Sequence, residues 1–166
     1  MRWGAFLVVS IVMAACAREP APGPRSSPAS IPSLPAPSPG TAGIPGSATA
    51  QLPDVHLSLS ADPSEPVAGR PVTLTLTVQA SRDLTLRFPT GQRYEFEAVG
   101  PPGAWRWSEG RFFTQGLGEM ALRLGEQLTY RERWVPGAAG HFLLRGRVTA
   151  AGRPDLAVEA GIEVST

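Results

Sequence analysis

The residue types best suited to chemistry lie in the middle of the chain, at residues 88–117, where tryptophan, tyrosine, phenylalanine and arginine are concentrated. Trp, Tyr and Arg are the side chains most enriched at protein-binding hot spots, so they predict noncovalent recognition of another protein. The candidate binding residues are Arg93, Trp105, Arg106, Trp107 and Arg111. Alternation along an extended chain would put Trp105 and Trp107 on one face and Arg106 on the other. Aromatics in this pattern also suit a hydrophobic core, so both roles stay open for them.

The remaining polar residues form no catalytic set. His56 and His141 are expected on the polar faces of strands, and neither stands in a metal-binding spacing such as H-E-x-x-H. Three serines lie in predicted loops without a G-x-S-x-G motif around them: Ser64, Ser81 and Ser108. We therefore expect no enzyme activity, no catalytic residue, no metal site and no cofactor.

Two acidic residues share a predicted strand face. Glu95 and Glu97 are two residues apart, which places their Cα atoms about 7 Å from each other on the same side of a strand. A carboxylate pair of this kind is able to flank a glycosidic bond. A solvated strand face accounts for the pair with fewer assumptions, and we favour that interpretation.

Four arginines alternate along two late strands: Arg131, Arg133, Arg145 and Arg147. If those strands are neighbours, the side chains form a basic stripe that would bind an anionic ligand. The alternative is cross-strand pairing with Glu159 and Glu163 on the following strand. We favour pairing, because the acids are in place to balance the charge.

Cys16 is the chain's single cysteine, which excludes an intramolecular disulfide. It follows Arg2 and an apolar run at residues 6–13, a run that is shorter than the ~20 residues of a membrane-spanning helix. This pattern is typical of a signal peptide, here residues 1–15. Met13-Ala14-Ala15-Cys16 resembles the lipobox of bacterial lipoproteins, which implies cleavage before Cys16 and diacylglycerol on its sulfur. The alternative is an ordinary secreted protein cut after a small residue.

A low-complexity segment follows. Residues 17–53 contain ten prolines among 37 residues, and most of the others are Ala, Ser and Gly. Few side chains there are large enough to build a core, so residues 16–53 are predicted to be a disordered Pro-rich tether carrying the lipidated cysteine. The tether and its lipid would hold the rest of the chain outside the cytoplasm at a cell membrane, in a leaflet that the sequence does not indicate.

Residues 54–166 have the alternating pattern of an all-β domain. Apolar residues recur at every second position in seven or eight short segments, and Gly- and Pro-containing turns separate these segments. The pattern predicts an immunoglobulin-like antiparallel β-sandwich of about seven to eight strands, with room for one helical turn near residues 116–121. The 12 arginines and 13 acidic residues from position 54 onward leave the domain close to neutral, which argues against a nucleic-acid partner.

A set of motifs between residues 71 and 150 resembles a known family. They are Phe88-Pro89-Thr90-Gly91-Gln92, Tyr94-Glu95-Phe96, Trp105-Arg106-Trp107-Ser108, Gly110-Arg111, Phe113-Thr114-Gln115, Leu124-Gly125-Glu126, Tyr130, Trp134, Gly140 and Phe142. In order and spacing they are similar to the intracellular proteinase inhibitor (BsuPI-type) domain of bacteria. The resemblance implies an immunoglobulin-like sandwich and inhibition of serine proteinases.

The sequence thus predicts a membrane-anchored, extracytoplasmic protein-binding domain, with proteinase inhibition as the leading function. The partner would be a serine proteinase, and the loops at 88–93 and 100–112 are the candidate contacts. The alternative is a non-inhibitory interaction or assembly lipoprotein that binds another envelope protein. In either case the membrane contact is the lipid on Cys16.

Overall fold

The computed structural model describes residues 45–166, so Cys16, the signal peptide and most of the predicted tether lie outside the described residues. Every regular element in the described part is a β-strand. The ten strands are β1 (Ser47–Gln51), β2 (Val55–Asp62), β3 (Val72–Ala80), β4 (Leu84–Phe88), β5 (Tyr94–Gly100), β6 (Gly103–Arg106), β7 (Gly118–Leu122), β8 (Gln127–Trp134), β9 (Gly140–Val148) and β10 (Ala157–Val164). Among residues 45–166 there is no helix long and apolar enough to cross a membrane.

The strands form two four-stranded antiparallel sheets and one two-stranded ribbon. The first sheet has the order β1-β2-β3-β8, the second has the order β10-β9-β5-β6, and β4 pairs with β7. Aromatic contacts join the two larger sheets: Trp134 of β8 meets Phe142 of β9 edge to face at 5.0 Å, and Tyr130 of β8 stacks on Tyr94 of β5 at 4.4 Å. The predicted all-β, immunoglobulin-like sandwich is confirmed.

Alternation along each strand produces the core. In β3 the apolar residues Val72, Leu74, Leu76 and Val78 are fully buried, while the threonines between them face outward or are half-buried. β2 and β9 follow the same rule, with Val55, Leu57 and Leu59 in one and Phe142 and Leu144 in the other. β-branched and large apolar side chains suit such a pleated, half-buried surface. These three strands, β2, β3 and β9, lie in the interior of the two larger sheets.

Three expectations need correction. The strand β1 lies within residues 16–53, the range predicted to be the tether, and it pairs with β2. The folded domain therefore begins before residue 54. Residues 118–122 form β7 and not a helical turn, because their backbone pairs with β4 from Leu84↔Leu122 to Phe88↔Gly118. With β6 these additions bring the strand count to ten instead of seven or eight.

Candidate functional site

A stack of three aromatic rings lies where the second sheet meets the exposed part of the chain that follows β6. Tyr94 stacks on Trp107 at 4.3 Å on one side and on Tyr130 at 4.4 Å on the other. Trp107 is 9% exposed and belongs to the core, although it lies one residue beyond β6. Stacked and edge-to-face aromatic pairs stabilise a fold beyond the area that they bury. The stack therefore fixes the start of the segment after β6 to both sheets.

The two tyrosines of the stack ionise less readily than free tyrosine. Burial and the hydrogen bond that the Tyr94 hydroxyl donates to Glu132 raise the pKa of Tyr94 well above its usual range. Burial also raises the pKa of Tyr130. Both phenols consequently stay protonated in the folded protein at pH values where they ionise in the unfolded chain.

Alkaline pH is expected to destabilise the domain through this pair. The unfolded chain loses the phenolic protons at about pH 10 while the folded protein retains them, so the stabilisation is complete below that pH and declines as pH rises above it. Tyr94 and Tyr130 are the chain's two tyrosines, so phenolate absorbance reports on them alone. The melting temperature should fall above about pH 10, with phenolate appearing together with unfolding. Reversible ionisation of both rings near their usual pKa in the folded protein would contradict this.

An exposed loop, residues 108–117, follows the stack and leads into β7. A turn at residues 107–110 begins it, and Gly110 adopts a φ of 74°, which favours glycine because it lacks a Cβ. The chain then runs through residues 111–117 without regular structure. Phe112 is 101% exposed and Leu117 is 92% exposed. The exposed loop thus presents two large apolar side chains to solvent.

Contacts to Trp107 hold the exposed loop on both sides of Phe112. The Arg111 guanidinium lies over the indole of Trp107 at 4.6 Å, and Arg111 Nε donates to the Trp107 carbonyl at 2.8 Å. On the other side, the Phe113 ring lies 5.6 Å from the Trp107 ring. Cation–π and aromatic contacts of this kind order the side chains that make them. Because Arg111 and Phe113 both contact Trp107, the side chain of Phe112 between them points to solvent.

The turn at residues 89–93 packs beside the exposed loop and is hydrogen-bonded to it. The Gly91 amide donates to the carbonyl of Thr114 at 2.8 Å. A Cβ on Gly91 would stand 2.4 Å from Thr114 Oγ1 and 3.3 Å from Thr114 N, so the absence of a side chain permits this close approach. The turn itself is fixed by Thr149, whose hydroxyl donates to the Gln92 carbonyl at 2.7 Å.

Glu95 joins the turn to the start of the exposed loop. One carboxylate oxygen accepts a hydrogen bond from Ser108 N at 3.0 Å, and the other accepts one from Gln92 Nε2 at 3.0 Å. Glu95 is 2% exposed, so its predicted place on a solvated strand face was wrong, because the turn and the loop cover it. Glu97 does stay closer to solvent and lies 3.5 Å from Arg106 Nε. The two carboxylates thus have separate structural partners.

The structure places the five predicted binding residues in different environments. Trp107 and Arg111 come together at the base of the exposed loop, as described above. Trp105 lies on the same inner side as Trp107 and is partly buried against the core, while Arg106 is exposed on the opposite side. Arg93 is half-buried with its guanidinium 4.4 Å over the Phe88 ring. The expected facing of Trp105, Trp107 and Arg106 is therefore confirmed, and their role in binding stays a prediction.

The sequence singles out Glu95 as half of a carboxylate pair and includes Phe112 in the candidate loop 100–112, but it does not single out Leu117. The available signal for Phe112 was the Phe112-Phe113 pair between Gly110 and Gly116, since adjacent side chains on an extended chain point to opposite sides. Only the fold decides which of the two is buried. Here Phe113 packs against the core and Phe112 does not.

The basic stripe proposed for the late strands does not form. β8 and β9 belong to different sheets, so Arg131 and Arg133 are separated from Arg145 and Arg147. The favoured alternative is confirmed for one pair, because Arg145 Nε lies 3.4 Å from Glu159. Glu163 instead lies 3.6 Å from His141. Between residues 45 and 166 no His, Cys, Asp and Glu side chains group in a way that would hold a metal ion.

Comparison with known proteins yields one family match. The family model described as intracellular proteinase inhibitor, BsuPI, matches residues 57–152. No curated protein sequence matches the chain.

Among solved structures, the sporulation control protein Spo0M from Bacillus subtilis aligns with 69% of this chain at 12% identity and a TM-score of 0.47, and the alignment covers 51% of the Spo0M chain. A beta-glucosidase from Listeria innocua aligns with 68% of this chain at 13% identity and a TM-score of 0.43, over 16% of its own length. A CARDB domain from Pyrococcus furiosus aligns with 70% of this chain at 10% identity and a TM-score of 0.41, over 92% of its length. The chain thus spans about half the length of Spo0M.

Proposed function

Since this chain belongs to the BsuPI, or intracellular proteinase inhibitor, family, we propose that it inhibits a serine proteinase and that the exposed loop enters the proteinase cleft. The match over residues 57–152 confirms the resemblance drawn from the sequence motifs. It includes both the exposed loop and the turn at residues 89–93 that supports it.

The observation that carries the proposal is a loop that is held in place and exposes two large apolar side chains, Phe112 and Leu117. Arg111 and Phe113 attach it to Trp107, Thr114 attaches it to Gly91, and Phe112 remains fully exposed between these contacts. A loop held in its binding conformation loses little conformational entropy on association, and this raises affinity without adding contacts. Large exposed apolar side chains are the groups that gain most from burial in a partner.

We further propose that the inhibitor acts outside the cytoplasm and is anchored by lipid on Cys16. The support is the sequence of residues 1–16, which combines a signal-peptide pattern with a lipobox-like end. The family description names an intracellular inhibitor. Under this proposal an exported chain uses the same domain to bind a proteinase of the cell envelope. A Pro-rich linker between Cys16 and the domain would let the domain reach a proteinase at a distance from the membrane.

The full-length chain, purified in detergent, tests the proposal when it is titrated against serine proteinases of differing specificity while substrate cleavage is followed. We expect saturable inhibition of at least one proteinase by a chain that stays folded. Fatty-acid labelling of cells that carry the wild type or Cys16→Ser tests the anchor in parallel, and only the wild type should be labelled. A folded chain that alters no proteinase would reject inhibition and leave the non-inhibitory envelope-interaction role.

A further inference from the structure

We propose that Phe112 is the residue that fills the primary specificity pocket of the target, and hence that the target is a serine proteinase selective for large aromatic or apolar side chains. This inference rests on the proposed function and narrows it to one residue and one class of proteinase.

Phe112 lies fully exposed on the loop. Its side chain is 101% exposed, whereas the phenylalanines of the strands, Phe88, Phe96 and Phe142, are at most 2% exposed. A fully exposed phenylalanine contributes nothing to a core, so the fold gives no reason for an aromatic ring at this position. A deep apolar pocket in a partner would give one, and chymotrypsin-type proteinases have a hydrophobic slot for such a side chain.

The chain on both sides of Phe112 is held by contacts to Trp107 and Gly91. Arg111 is fixed by its contact with the Trp107 ring and by the 2.8 Å hydrogen bond to the Trp107 carbonyl. Phe113 packs against the same ring, and Thr114 accepts the hydrogen bond from Gly91. Phe112 is therefore kept pointing outward, because the side chains of both its neighbours contact Trp107.

The same contacts bear on what happens if the proteinase attacks the loop. Hydrolysis would add one water across the Phe112–Phe113 peptide bond, leaving a carboxylate on Phe112 and an amine on Phe113. Arg111 would retain the first new end and Phe113 with Thr114 would retain the second. Ends held close together favour resynthesis of the bond, since the reaction is then intramolecular. Cleavage is thus expected to be slow and reversible in the intact domain.

Leu117 is the rival residue in the same loop. It is 92% exposed, and the residue before it, Gly116, is not packed against other residues: a Cβ added at Gly116 would meet no atom within 4 Å. Its support on the N-terminal side is a 3.5 Å hydrogen bond from Gln115 to the Phe113 carbonyl, which is weaker than the contacts beside Phe112. The geometry favours Phe112 over Leu117 for this reason.

The test compares inhibition constants of the full-length wild type, Phe112→Ala, Phe112→Arg and the control Leu124→Ala against an aromatic-selective and an arginine-selective serine proteinase. We expect Phe112→Ala to weaken inhibition of the aromatic-selective enzyme about 30-fold or more, the effect of losing a central hot-spot side chain. Phe112→Arg should transfer inhibition to the arginine-selective enzyme, whose pocket carries an acidic residue. Leu124→Ala should stay within about 3-fold of the wild type, because Leu124 is exposed outside the loop that enters the cleft.

The outcomes separate this inference from the function on which it rests. Wild-type inhibition that Phe112→Ala and Phe112→Arg both leave unchanged would overturn the assignment of Phe112 while leaving the inhibitor function in place. A wild type that inhibits neither these enzymes nor any other serine proteinase would overturn both. Phe112 is exposed, so all four proteins should melt at the same temperature, and mass spectrometry should locate any slow cleavage at the Phe112–Phe113 bond.

Discussion

Replacing Trp107 with alanine is expected to lower the free energy of unfolding by about 3–5 kcal/mol, the usual cost of removing a buried tryptophan side chain. The same change should release the exposed loop, because Arg111 and Phe113 both rest on the Trp107 ring. The stack on Tyr94 would also lose one of its two partners. Chemical denaturation gives the stability, and limited proteolysis gives the order of the loop.

Trp107→Phe is the matched control for this prediction. Within residues 45–166 the buried Trp107 Nε1 has no hydrogen-bond partner, so phenylalanine removes a polar group that contributes no protein hydrogen bond. It keeps an aromatic ring on Tyr94, and we expect it to cost well below half of the loss caused by alanine. A Trp107→Ala protein as stable as the wild type, with a loop equally resistant to proteolysis, would contradict the proposed anchoring.

Glu95→Ala is expected to destabilise the domain by about 2–3 kcal/mol, because two donors in a covered site lose their acceptor. These donors are Ser108 N and Gln92 Nε2, which belong to the loop and to the turn respectively. Hydrogen exchange at the Ser108 amide should accelerate more than exchange in the strands.

Glu97→Ala is the comparison variant, since Glu97 lies on the same strand face but has only a 3.5 Å contact with the exposed Arg106. Pairs of that kind contribute about 0–1 kcal/mol. Equal losses from Glu95→Ala and Glu97→Ala would mean that the hydrogen bonds of Glu95 do not join the turn to the loop.

The strands that could be predicted from the sequence are those with large alternating side chains. Leu57 and Leu59 in β2 and Leu74 and Leu76 in β3 mark their inner faces plainly, and all four are fully buried. β1 gave no such signal, because its inward residues, Ala48 and Ala50, are small and only partly buried. It is held through its backbone pairing with β2, and pairing of that kind leaves little trace in composition.

The site was predictable in part for a similar reason. Residue type identified Trp107 and Arg111, whereas the burial of Glu95 depends on where the chain after β6 crosses the sheet. Alternation placed Glu95 on an outer face correctly, but it carries no information about what covers that face. Arg93 is likewise of a residue type that is common at binding sites, and its guanidinium packs over the Phe88 ring. The fate of a side chain in an irregular segment depends on tertiary contacts that periodicity does not report.

The most direct test of the account is the inhibition constant of four full-length proteins: wild type, Gly91→Ala, Thr114→Ala and the double variant. A Cβ at Gly91 would meet Thr114 Oγ1 at 2.4 Å, so Gly91→Ala should displace the exposed loop and weaken inhibition by about 10-fold. Thr114→Ala removes Oγ1, and the remaining contact of 3.3 Å to Thr114 N needs only a small shift, so the double variant should recover most of the inhibition. Thr114→Ala alone should inhibit like the wild type. Four equal inhibition constants from folded proteins would contradict the claim that the proteinase binds a loop held in its binding conformation by the turn at residues 89–93.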